Sequence, residues 1–466
     1  MHRLIRRPML ASLLLTGLIG CGDKDASDPT APADDTSAAA PDGDDTGPTE
    51  DSGGDGGDDT DGGTDGSTDD TDDTGSSGTD DTGSTVPEVN PDELLFEELL
   101  HGDADLDSVL WEVSQSGGWP IEGEDGYIFV AAGDRDPYYL AGDHNGWETA
   151  GMERAEGFWY AVVPHAELPS PGGSLYKFVD NRGDYGADPN ARAYSYDEYG
   201  EYSIVRGEGG HLERWPWVGD GAVDARTLRV WVPEGPVTHQ IYVHDGQNLF
   251  DPEGINGGWR LQESLGTSTM AIGLDNSGIY RIDDYTHVTD TIDGYAYGGG
   301  GDAYVDYIEG TVRPLVEGYY GAAPIQGVMG SSLGGLIALY HDLRHPAAFD
   351  FVGSLSGTVG WGSIERNNDT VIELYEAAGH GTAVLYVDSG GTGGTGCVDS
   401  DGDGIEDDAR GASDNYCENV QLSDTLAGVG YVWEEDLYHW WETGASHNEA
   451  AWADRVWIPL SIFETL

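Results

Sequence analysis

Ten residues, Gly327 to Leu336 (GVMGSSLGGL), constrain this chain more than any others. They hold a G-x-S-x-G pentapeptide, Gly330-Ser331-Ser332-Leu333-Gly334. Before it, Ile325 to Met329 reads as a short buried strand; after it, Leu336 to His341 reads as a helix. A serine on such a bend takes an unusual backbone conformation with its hydroxyl standing above the sheet. The flanking glycines remove Cβ atoms that would collide there. A chain with 72 Gly meets the pattern by chance, so the strand–turn–helix setting gives it its weight. Ser332 is the candidate nucleophile.

The chain begins with a targeting pattern. Arg3, Arg6 and Arg7 precede an apolar stretch, Met9 to Ile19, too short to span a bilayer as a stable helix. It ends in Leu18-Ile19-Gly20-Cys21, which resembles the lipobox of bacterial lipoprotein signals. The resemblance implies cleavage before Cys21, lipid attachment to it, and an exported protein anchored at the outer membrane or cell surface. Residues 22–90 are an Asp-, Thr- and Gly-rich tract. Between 22 and 85 it carries 21 acidic residues and a single Lys. So little apolar surface cannot offset ordering entropy, and the expectation is a disordered, self-repelling tether. The whole chain has 87 acidic against 20 basic residues, a net charge of −67. That excludes nucleic acid and anionic membrane surfaces as partners, because both require clustered Lys and Arg.

Residues 91–215 divide into a helical lead-in, 92–115, and short runs with turn signals between them. These runs are Tyr127–Val130, Tyr138–Leu140, Trp159–Val163, Leu175–Val179 and Tyr202–Val205, and their spacing predicts a small immunoglobulin-like β-sandwich. The words Tyr139 to Trp147, Tyr176 to Asp180 and Asp188-Pro189-Asn190 resemble the early-set sandwich of glycogen-binding and isoamylase N-terminal modules. That resemblance implies sugar contacts at Trp147 and Lys177. The alternative is that Trp147 packs in a turn and Lys177 is a strand-edge charge. A link around Trp215 to Asp220 follows.

From 220 to 466 buried strands alternate with helices. The strands read as Leu228–Val232, Gln240–His244, Met270–Leu274, Gln326–Met329, Phe351–Leu355, Ala383–Val387 and Tyr431–Glu434. Helices lie between them, as at 303–319. This order predicts an α/β domain with a mostly parallel central sheet.

Acyl transfer by serine needs a base, an acid that orients it, and donors for the oxyanion. His447, in Gly444-Ala445-Ser446-His447, lies on a loop between the last strand and a final helix and is the candidate base. His341, His345, His380 and His439 sit on or beside regular elements. The words Ile241 to Phe250, Gly273 to Asn276, Arg281 to Tyr285, Gly330 to Gly335 and Gly444 to His447 with Trp452 resemble the esterase family of α/β-hydrolases. That family includes enterochelin esterases, esterase D-like enzymes and feruloyl or acetylxylan esterases. The resemblance implies an oxyanion hole from the amides of Leu333 and Gln247, and an acid after the 383–387 strand. Asp414 is the expected acid, with Asp388, Asp407 and Asp408 as alternatives.

An Asp-rich insertion, 390–413, separates that strand from Asp414. Asp399, Asp401, Asp403 and Asp407 alternate with small residues as in a calcium loop. Cys397 and Cys417 bracket them, and an exported protein is free to join these as a disulfide. The expectation is a structural calcium and no cofactor for catalysis. The leading reading is a lipid-anchored serine esterase acting on a small-molecule or polysaccharide ester, with an esterified carbohydrate preferred because the acidic chain repels anions. The alternatives are an inactive glycan-binding lipoprotein, a siderophore esterase of enterochelin type, and an acyltransferase on the same scaffold.

Overall fold

The computed structural model describes residues 89–133, 138–392, 396–408 and 414–466. The signal segment with Cys21, the tract up to 88, and residues 393–395 and 409–413 of the insertion lie outside the described residues. Among the described residues no helix is long and apolar enough to cross a membrane.

Two capped helices open the described chain, Pro91–His101 and Leu106–Gln115. Asn90 and Asp105 each accept a backbone N–H at the helix start. A four-stranded antiparallel sheet follows, built on Gly126–Ala132 and Phe158–Pro164. Its two faces separate by the twofold alternation of strand side chains. Ile128, Val130 and Phe158 pack with Phe96, Leu99 and Val113 of the helices. Tyr127, Phe129 and Ala131 pack with Leu140, Tyr176 and Phe178 of a second, facing sheet.

That second sheet is not confined to the N-terminal module. Its strands Tyr139–Gly142, Leu175–Val179, Gly200–Ile204 and Ala193–Asp197 are antiparallel neighbours. Ala193 and Tyr194 then pair with Glu213 and Leu212. The segment around Trp215, expected as a link, is therefore a strand, β1 (His211–Val218). It joins the sandwich to β2 (Arg226–Val232), β3 (His239–His244), β4 (Thr269–Leu274), β5 (Ile325–Ser331), β6 (Phe351–Leu355), β7 (Val384–Ser389) and β8 (Leu437–Trp441).

Their order is β8-β7-β6-β5-β3-β4-β2-β1. From β4 to β8 all neighbours are parallel; β2 is antiparallel to both β1 and β4. The sheet as a whole is thus mixed rather than mostly parallel, because the sandwich strands extend it. One face packs Tyr242, Val328, Val352 and Leu385 under helices; the other packs Val243, Met329, Phe351 and Tyr386. Burial on both faces explains the near-continuous apolar runs of these strands.

The last strand lies later than its expected position at Tyr431–Glu434. There the Val432 carbonyl accepts the amides of Glu435, Asp436 and Leu437, and Glu434 has φ 64°. Those residues form the turn that enters β8.

Candidate active site

Ser332 sits between β5 and α1 (Leu333–Arg344) with φ 57° and ψ −124°. A non-glycine residue adopts such angles at a cost of roughly 1–3 kcal/mol, and only where its surroundings hold it there. Here the Ser332 N–H donates to the Leu355 carbonyl at 2.9 Å. A Cβ at Gly330 would lie 2.6 Å from the backbone of Gly334, and one at Gly334 would lie 3.2 Å from Cβ of His244. Gly330 is therefore required by the tight approach of α1 to β5, and Gly334 sits in a close fit against β3. The serine is 8% exposed, and its hydroxyl lies 3.4 Å from Thr358 Oγ1.

His447 lies on the loop between β8 and a short helix, Glu449–Arg455. Its Nδ1 is 2.5 Å from Asp414 Oδ1, and its ring meets the edge of Trp452 at 5.1 Å. Asp414 is buried and heavily bonded. Oδ2 accepts from Ser356 Oγ at 2.7 Å and from the Gly390 amide, and Arg455 lies 3.6 Å away. Ser356 also receives Arg455 Nη2 at 2.6 Å and Trp452 Nε1 at 3.2 Å. A carboxylate held by this many donors cannot swing, so the imidazole it holds is fixed in orientation.

The serine and the imidazole approach the same sheet edge. Leu355, whose carbonyl anchors Ser332, precedes Ser356, and Asn415, beside Asp414, donates to Thr358 Oγ1 at 3.3 Å. Among the described residues no hydrogen bond joins Ser332 to His447; the link runs from Ser332 to Thr358 Oγ1 and from there to Asn415, next to Asp414.

The rival carboxylates are occupied elsewhere. Asp388 pairs with Arg455 through two 3.0 Å contacts, and burial pushes its carboxyl above the usual range. Asp407 accepts from Ser400. Asp408 accepts the amides of Tyr416 and Cys417 at the start of a helix, Tyr416–Val429. The other downstream histidines bond elsewhere or are buried: His341 to Glu309, His345 to Asp306, His380 to Asp436, while burial holds His439 below its ordinary value.

Leu333 is the first residue of α1, where backbone N–H groups have no intrahelical acceptor. Gln247 stands on the turn Gly246–Asn248 just past β3, and its side chain receives the Asn276 amide at 3.0 Å. Asp245 enters that turn with φ 61° and is clamped by Arg281 at 2.7 and 2.8 Å and by Asn276 at 2.7 Å. Burial alone would raise the Asp245 pKa; Arg281 and Asn276 outweigh it and hold it low. Burial drives His244 down to about 3, so that ring is neutral; its Nδ1 lies 2.9 Å from Tyr304 Oη.

Asp399, Asp401 and Asp403 place ligand oxygens within 4.8 Å of one another. Asp407 is not among them. The Cys397–Cys417 disulfide is present, with Cα atoms 5.3 Å apart. Of the two residues expected to meet a sugar, Lys177 is not the exposed strand-edge donor that role requires, whereas Trp147 is open to solvent. Lys177 is buried and donates to the Tyr199 carbonyl at 3.2 Å, while Trp147 is partly exposed and bonds Asp143. Ser356, Arg455 and Asn415 had no local motif to announce them as support for the site; each acts across long sequence separations.

A helix-covered parallel sheet with a strand–serine–helix bend at its carboxyl edge defines an α/β-hydrolase-like fold. Residues 225–454 match the Esterase family, and this region has that family's fold. YbbA of Bacillus subtilis, an uncharacterized protein, is 30% identical over 124 residues, 25% of this chain and 49% of that protein. The siderophore triacetylfusarinine C esterase of Aspergillus fumigatus is 32% identical over 136 residues, 27% of this chain and 45% of that protein. The chain spans about half the length of these two relatives. Among solved structures, the enterobactin esterase FES of Shigella flexneri is 14% identical, over 73% of this chain and 93% of its own, with a TM-score of 0.39.

Proposed function

We propose that this protein hydrolyses carboxylic esters with Ser332 as nucleophile, His447 as base and Asp414 as orienting acid. The observation that carries this reading is a serine held at φ 57° and linked through Thr358 and Asn415 to the segment of buried Asp414, whose carboxylate holds the His447 imidazole at 2.5 Å. On substrate binding the hydroxyl turns from Thr358 towards His447 Nε2. His447 takes its proton as Oγ attacks the ester carbonyl, then protonates the departing alcohol. The amides of Leu333 and Gln247 receive the oxyanion, each contributing roughly 3–4 kcal/mol to lowering the barrier. Water, activated by the same imidazole, releases the acid. Hydrolysis of p-nitrophenyl acetate tests this directly. The rate is expected to vanish in Ser332→Ala, and an unchanged rate would end the proposal.

For the substrate, the support moves from carbohydrate towards a siderophore-type ester. Lys177, half of the expected sugar platform, is buried, and one relative is by name a siderophore esterase. Acetylated and feruloylated saccharides and siderophore esters, compared on the purified protein by kcat/KM, separate the classes. Selective turnover of the saccharides would restore the carbohydrate reading.

Two further parts of the proposal stand apart from the chemistry. The Asp399, Asp401 and Asp403 carboxylates suit a hard divalent ion such as calcium, which would stiffen the loop ahead of Asp414 together with the Cys397–Cys417 disulfide. A melting temperature indifferent both to EDTA and to Cys397→Ser would remove that role. Lipidation at Cys21 would place the enzyme at a membrane surface on its acidic tether. Metabolic labelling with a fatty acid, lost in Cys21→Ser, checks it.

A further inference from the structure

Resting on that reading, we infer that Glu449 is a positioning residue that ties the oxyanion loop to the imidazole loop. It lies two residues past His447, at the head of the Glu449–Arg455 helix, and is 9% exposed. Its Oε1 accepts from Asn248 Nδ2 at 3.3 Å and Oε2 from Asn256 Nδ2 at 2.9 Å. Asn248 directly follows Gln247 on the turn past β3. Asn256 sits on a second turn, Ile255–Gly257, with φ 51°. The Asn248 carbonyl accepts the Trp259 amide at 2.9 Å, closing the loop between the two turns. Trp259 in turn lies 6.2 Å, ring to ring, from Trp452, one turn along the helix from Glu449.

One carboxylate therefore bridges the two segments that bear the proton-transfer ring and an oxyanion donor, 201 positions apart in the case of Asn248. Neither segment is held by a strand ladder at this point. The His447 loop is otherwise tied to the insertion, through Gly444 N–H to the Gly391 carbonyl at 2.7 Å and Gly391 N–H to the Ala445 carbonyl at 2.8 Å. The Gln247 turn is otherwise tied through Asp245 and Arg281. Glu449 alone links the two sets by side-chain hydrogen bonds among the described residues. A hydrogen bond to a carboxylate is shorter and stronger than a neutral one, so it suits a clamp. Because the oxyanion forms only as the ester reacts, misplacing its donor lowers kcat while leaving KM nearly unchanged.

Glu449→Ala is expected to lower kcat on p-nitrophenyl acetate by roughly 10- to 100-fold, with KM within about twofold of wild type. The rate at which a fluorophosphonate labels Ser332 should fall in parallel. Glu449→Gln keeps the volume but sets an amide N–H against an Asn N–H, and is expected to lose part of kcat at an unchanged melting temperature. Should Glu449→Ala melt early, Glu449→Gln decides. Asn256→Ala added to Glu449→Ala should cost nothing more, since their shared contact is already gone. A wild-type kcat in Glu449→Gln, a raised KM with kcat intact, or an additive loss in the double variant would overturn the clamp. Retained hydrolysis in Ser332→Ala would instead indict the catalytic reading beneath it.

Discussion

In the N-terminal sandwich, buried Lys177 donates to the Tyr199 carbonyl, and buried Arg192 donates to the carbonyls of Ser114, Ser116 and Arg214. At the carboxyl edge of the large sheet, Arg455, Asp388, Ser356, Asp414 and His447 bond to one another, drawn from the ends of β6 and β7, the far side of the insertion and the C-terminal helices. Both regions bury charge, and both satisfy it. A carbonyl has no proton to exchange, so the first arrangement holds the fold. The second ends on an imidazole, a group that can accept and return a proton, and so can serve chemistry. Burial of a charged group by itself says little about function; what lies at the end of its hydrogen bonds says more.

The sharpest test of this contrast sets two neighbouring aspartates against each other. Asp414→Asn, like His447→Ala, is expected to lower kcat by roughly 10³–10⁴-fold while the melting temperature moves little. Asp388→Asn removes the carboxylate that hydrogen-bonds buried Arg455, leaving only Asp414 at 3.6 Å as counter-charge, and is expected to cost about 3 kcal/mol of stability, read by denaturant titration. If the two variants behaved alike, the division between a chemical and a structural carboxylate would collapse.

Glu418 provides a pH test on the same edge. Burial pushes its carboxyl up to about 8, and it accepts the Gly360 amide at 2.5 Å, next to the Thr358 segment. Between about pH 4.5 and 8 the folded protein holds a proton that the unfolded chain has released. Stability therefore falls as pH rises through that window and levels off above it. Glu418→Gln should flatten this slope in melting temperatures measured from pH 5 to 9; an unchanged slope would reject the assignment. The smallest effect is expected in the sandwich. Lys177→Met removes a charge whose partner, the carbonyl of the exposed Tyr199, can turn to water. It should shift stability by no more than about 1 kcal/mol and leave the esterase rate unchanged.

Legibility followed the range of the interactions. The bend at Ser332 could be read from a handful of adjacent residues, because the need for glycine at 330 arises where β5 turns into α1. The helix starts at Asn90 and Asp105 are equally local. The final strand was displaced because the aromatic run 431–433 resembles the strand that begins at Leu437, and only the turn at Glu434 tells them apart. Trp147 and Lys177 matched a pattern, but the direction in which a strand side chain points depends on the neighbours it meets. Glu449 carries no motif of its own; its meaning comes from two asparagines near the opposite end of the domain.

The amino-acid order alone determined the nucleophilic bend, the alternation of buried strands and helices, and the acidic character of the chain. The folded arrangement decided which of several aspartates stands behind His447, that β1 runs the sandwich into the large sheet, and that Lys177 turns inward. The reason is degeneracy. Backbone conformation responds to a few adjacent residues, whereas chain position narrowed the acid only to Asp414 with Asp388, Asp407 and Asp408 as rivals, and the donors that the meeting of β6, β7 and the C-terminal helices gathers around Asp414 come from distant segments.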